Sequence, residues 1–140
     1  MNLDNFNKLI GQTIMECQRI EHDIKLIYAG VLSGDMKENY KAIEFKSLGE
    51  VLFELKNIDI DNKTLYITKE DYKLLSKIKD VRNWLVHSSY VDFMYEQGRN
   101  LEVYYKQTYE KLQLFNSQIK VLGNQLEKAR LTILRDYKRI

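Results

Sequence analysis

The 140-residue sequence has no proline, one cysteine, one tryptophan and only two histidines. Without proline, no position is barred from a helix interior by a ring that lacks an amide hydrogen and clashes with the preceding turn. The single cysteine, Cys17, excludes an internal disulfide and agrees with a reducing compartment. No group of cysteine, histidine and carboxylate residues has metal-ligand spacing, so neither metal nor cofactor is expected. Glycine-rich phosphate loops, internal repeats and low-complexity segments are likewise missing. Neither sign of charge dominates: 22 basic against 20 acidic residues leave a net +2, which makes no case by itself for nucleic acid or an anionic membrane. The opening MNLDNFNKLIGQ meets acidic and amide residues before any apolar run, so it reads as neither signal peptide nor membrane span. A cytoplasmic protein with no membrane partner is the expectation.

What is present is helical periodicity. Hydrophobic residues make up 44% and charged residues 30%, an interspersed composition that suits a folded chain, and the length suits one domain over residues 1–140. From Leu3 an apolar seam passes through Phe6, Ile10, Thr13, Cys17, Ile20, Ile24, Ile27 and Val31 in alternating steps of three and four. A second runs through Leu101, Tyr105, Thr108, Leu112, Phe115, Ile119, Leu122, Leu126, Ala129 and Ile133. Together they predict an all-α, four- to five-helix bundle framed by long first and last helices, expected to lie antiparallel.

Shorter elements fall between. SLGEVLFELKN has Ser47 three residues before Glu50, a capping-box spacing, with Leu48, Val51, Leu52 and Leu55 on one side. TKEDYKLLSKIKDVRNWLVH reads as one helix capped by Thr68, with Leu74, Ile78, Val81 and Leu85 as its stripe. IDIDNKTLYI reads as a connector, and residues 35–45 as loop or short helix.

On the wheel of that fourth segment, Tyr72, Ser76, Lys79, Asp80, Asn83 and His87 fall opposite the stripe, with Asn83 and His87 neighbours at i, i+4. Arg82 lies on one flank, where its stem can be buried and its guanidinium reach outward. Trp84 lies on the other. The alternative for His87 is a solvated surface histidine, and that reading also suits His22, between acids in IEHDIK.

The run Arg82-Asn83-Trp84-Leu85-Val86-His87 resembles the signature of the HEPN superfamily: arginine, a polar residue, mostly apolar residues, then histidine, late in a helix of a helical bundle. The order of long, short, motif and long final helix is similar as well. The resemblance implies a metal-independent endoribonuclease whose two motifs face each other across the axis of a homodimer. Its implied partners are RNA and, in toxin or antiphage systems, a cognate antitoxin or defence protein. Other members are non-catalytic interaction modules, and that alternative stays open beside an unrelated helical adaptor. Many members carry a first-helix acid near the motif, for which Glu16 and Glu21 are both candidates. Where one toxin branch has a tyrosine two residues after the histidine, this chain has Ser89, with Tyr90 one residue later.

The chemistry follows from the residue types. Cleaving RNA through its own 2′-hydroxyl needs a proton carrier that ionises near neutrality, which imidazole is, and a fixed cation at the phosphate. His87 suits the first role and Arg82 the second, its planar fork matching phosphate oxygens. Asn83 can orient either. Arg82 and His87 stand about 140° apart on an ideal helix, so a site built across a two-fold axis is expected. Lys73, Lys77 and Lys79 could add positive charge, although a solvated basic face explains them too.

Overall fold

The computed structural model describes residues 1–61, 66–95 and 100–140. All regular elements among them are helices: α1 (Leu3–Val31), α2 (Met36–Ile43), α3 (Leu48–Asp61), α4 (Lys69–Leu75), α5 (Ile78–His87), the single turn α6 (Val91–Met94) and α7 (Leu101–Asp136). No helix among the described residues is long and apolar enough to cross a membrane.

The two seams form the core as their spacing dictates. Phe6, Ile10, Cys17, Ile20, Ile24 and Ile27 of α1 are buried, as are Tyr105, Leu112, Ile119, Leu122, Leu126 and Ile133 of α7. Burying each such aliphatic side chain contributes roughly 1.5–3 kcal/mol, which makes this pair of helices the backbone of stability. Leu101, at the start of the second seam, is instead exposed.

The direction of the pair differs from the expectation. Tyr105 donates its hydroxyl to the Asn2 carbonyl at 2.9 Å, Asn116 its side-chain amide to Thr13 Oγ1 at 2.9 Å, and Arg139 its Nε to the Gly30 carbonyl at 3.0 Å. The numbers rise together, so α1 and α7 are parallel. A heptad seam specifies which faces meet and leaves direction to the connection. Here α2 to α6 stand between the two in the chain, and α7 starts beside the beginning of α1, where the Met1 ammonium lies 3.0 Å from Glu102. At the far end Gly30 permits close contact: a Cβ there would lie 2.3 Å from Leu134 Cδ2.

Residues 35–45 contain a helix, α2, with the Asp35 side chain accepting from the Glu38 amide at 3.1 Å. The expected connector is also partly helical, since α3 continues to Asp61; residues 62–65 of that stretch lie outside the described residues. Asp59 explains how the chain then turns back. Its carboxylate, 3% exposed, accepts the Tyr66 and Ile67 amides at 2.9 and 3.2 Å and the Tyr72 hydroxyl at 2.7 Å. Burial and this bond push the Tyr72 phenol far above its ordinary range. Asp59→Asn presents an NH₂ group to donors and is expected to cost about 2 kcal/mol. Urea midpoints would measure it, and Tyr72→Phe, which removes one donor alone, should cost less.

The segment expected as one helix is two. The Lys77 amide reaches only the Leu74 carbonyl, at 3.0 Å, and Ser76 Oγ donates back to the Lys73 carbonyl at 2.6 Å. Such serine back-bonding competes with the regular ladder. The tightened turn rephases the wheel, so Tyr72 faces the core with Leu75, Ile78 and Leu85, whereas Leu74 and Val81 are half-buried. Downstream of the turn the expected polar face survives: Lys79, Asp80, Asn83 and His87 are all exposed.

Candidate functional site

α5 is ten residues long and is fastened by Ile78 and Leu85, which are buried. Trp84 adds a lateral anchor. Its indole N–H donates to Asp92 at 2.8 Å, its ring meets Phe115 edge-on, and Lys111 Nζ stands 4.4 Å from its centroid. Lys111 was not foreseen near the motif, because nothing local in the sequence links α7 to residue 84. The cation–π contact places a fixed positive charge against the motif helix.

Arg82 donates through Nη1 to the carboxylate of Glu21 on α1. This contact distinguishes the two first-helix acids. Glu16 binds Arg19 at 3.1 Å, and Arg19 goes on to the Gly123 carbonyl at 3.1 Å and Glu127 at 3.2 Å. Glu16 therefore belongs to the α1–α7 seam and Glu21 to the motif. Sequence spacing could not separate them, since both sit on flanks of the same stripe and the choice depends on which helix packs on each flank.

The Asn83 and His87 side chains project from α5 into solvent and form no hydrogen bond among the described residues. Nor does any side-chain hydrogen bond join Arg82, Asn83 and His87 to one another. Tyr90 is engaged elsewhere: its hydroxyl donates to the Asn7 side chain and its ring packs against Phe6, with burial raising its phenol above the ordinary range. Ser89 is buried, with Oγ donating to the Leu85 carbonyl at 2.8 Å, so it closes the helix end and offers nothing to a ligand. His22 is exposed, as expected, with Nδ1 3.1 Å from the Tyr40 hydroxyl. Among the described residues no cluster of histidine, cysteine and carboxylate could hold a metal.

Beneath the Glu21–Arg82 pair lies Cys17, fully buried. Burial first, then the negative charge of Glu21, pushes its thiol up to about 11 from 9.0, while Arg82 pulls the other way. The consequence for stability has a definite sign. A group whose ionisation is suppressed by folding keeps its full contribution below the unfolded value and loses it as pH rises toward the folded one. Stability should thus fall as pH rises from 9 toward 11. Cys17→Ala should flatten that slope in urea titrations at stepped pH. An unchanged slope would assign the loss to other groups.

No protein-family model, no curated protein and no solved structure matches the chain, so the reading of this site rests on its own residues.

Proposed function

We propose that this protein is a metal-independent endoribonuclease of HEPN type, acting at a composite site made by two copies of the α5 motif. In the proposed reaction His87 accepts the proton of a ribose 2′-hydroxyl, whose oxygen attacks the adjacent phosphorus. The 5′-oxygen of the next nucleotide leaves and takes a proton from the imidazolium of the second copy. The products are a 2′,3′-cyclic phosphate and a free 5′-hydroxyl. Arg82 balances the charge that builds on the phosphate oxygens, and Asn83, one turn from His87, orients the imidazole or the phosphate.

The observation that carries this reading is the pairing of Arg82 with Glu21 while Asn83 and His87 stand exposed on the same helix. Glu21 holds the guanidinium on the motif side of α1, and the two remaining groups are left to an outside ligand. A homodimer supplies the missing proximity of arginine and histidine. Expression of an active toxin or antiphage effector should arrest growth, and an antitoxin or defence partner would relieve it.

A non-catalytic helical interaction module is the second reading. The same ion pair favours it in one respect, because Glu21 already satisfies the arginine. The two separate on cleavage of single-stranded RNA by pure protein in EDTA. The ribonuclease reading requires cyclic-phosphate ends and an inert all-deoxy substrate; equal cleavage of that substrate rules the chemistry out, because it lacks the nucleophile.

A further inference from the structure

We infer that the groove between α3 and α4 is a subsite for single-stranded RNA that feeds α5, an assignment resting on the ribonuclease reading above. The groove has a volume of about 280 Å³, and its floor is apolar, with Leu52, Tyr72 and Leu75 among its lining. Phe53 stands on its edge with 69% of its surface exposed. An aromatic ring beside an apolar floor gains from being covered, and a base offers a π-face to do so.

The rim is positive. Among the described residues, Lys56 and Lys79 line the groove, no carboxylate does, and neither lysine is in an ion pair. Lys56 Nζ lies 5.8 Å from the centroid of the Tyr72 ring, which holds that charge over the floor. A stacking surface joined to uncompensated lysines is how sequence-tolerant sites hold single strands, whereas a purely apolar partner would leave both ammonium groups unmatched.

The groove also leads somewhere. Lys79 belongs both to its lining and to the exposed row Lys79, Asn83, His87, whose members are four residues apart on one face of α5. The row spans about 12 Å along the helix axis. A base stacked on Phe53 would leave its strand's phosphates to pass Lys79 and Asn83 and arrive at the imidazole.

The test uses the full chain carrying His87→Ala, titrated into a labelled uridine-rich oligoribonucleotide of about ten nucleotides. Adding Phe53→Ala or Lys56→Gln should weaken binding about tenfold each. Lys56→Gln should also make the salt dependence shallower, and Lys56→Arg should restore both. With His87 intact, the same changes should raise KM far more than they lower kcat. Phe53 is exposed, so these variants keep their helical signal. Cleavage with unaltered KM overturns the subsite and leaves the ribonuclease reading standing. Groove-dependent binding by the wild-type chain without any cleavage overturns that reading and keeps the subsite; neither binding nor cleavage removes both. If Phe53→Glu converts a dimer to monomers while RNA affinity is unchanged, the groove is a contact between copies and the proposal fails.

Discussion

Replacing Arg130 with alanine is expected to destabilise the protein by about 3–5 kcal/mol, a large share of the 5–15 kcal/mol that holds most domains together. The reason is the carboxylate left behind. Asp23 lies on α1 with its side chain 3% exposed, and its Oδ1 receives the Arg130 guanidinium at 2.6 Å. No other hydrogen bond to this side chain is found among the described residues. In the variant a charge out of contact with water has no counter-charge, and local opening or protonation must relieve it. Asp23→Ala, which removes the buried charge itself, should cost less than Arg130→Ala. The paired replacement Asp23→Leu with Arg130→Met should recover much of the loss, since matched apolar groups replace buried ion pairs at little cost. Guanidinium titrations of the wild type and the three variants rank these losses. A loss under 1 kcal/mol in Arg130→Ala would mean that water reaches Asp23 and the pair is an ordinary surface one.

Asp23 also marks where the sequence stops being readable. Its position in IEHDIK, among acids beside a histidine, gives the appearance of a solvated face; only the approach of α7, more than a hundred residues away, makes it a buried partner. Long-range pairing decided the other surprises as well. The seams of α1 and α7 were legible because burial follows periodicity within one helix, but their parallel direction was not, because it depends on the return path of α2 to α6. The cap at Thr68 was legible, being local: its Oγ1 accepts the Asp71 amide at 3.1 Å. The break at Ser76 was hidden, since serine is tolerated inside helices and the rephasing that buries Tyr72 needs Asp59 to receive its hydroxyl. At the site, exposure of Asn83 and His87 could be read from the wheel, which holds within the short α5. The partner of Arg82 could not, because Glu16 and Glu21 differ only in which neighbouring helix stands beside them.

On the proposed mechanism, His87→Ala should lower RNA cleavage by about 10²–10⁴-fold while leaving the fold intact. The two halves of that statement come from different features. The loss is the size expected when a proton carrier is removed from a reaction whose nucleophile and leaving group both need one. The intact fold follows from exposure: the His87 side chain makes no hydrogen bond among the described residues, and such surface changes usually fall within about 0.5 kcal/mol. Activity lost without stability lost separates a chemical role from a structural one. Arg82→Ala should cost cleavage about 10²–10³-fold. Its pairing with Glu21 is partly exposed, so stability should move by no more than about 1 kcal/mol. Arg82→Lys should rescue little, because an ammonium restores the charge without the planar fork. Mixing the two dead variants is the sharper experiment. If the motifs share one cleft, a heterodimer of His87→Ala with Arg82→Ala retains one imidazole and one guanidinium there but lacks the second imidazole, so only the share of activity that a single proton carrier supports should return as subunits exchange. If each chain works alone, mixing restores nothing. Should His87→Ala by itself keep cleavage within threefold of the wild-type rate, the imidazole carries no proton, and the exposed row on α5 must serve binding instead.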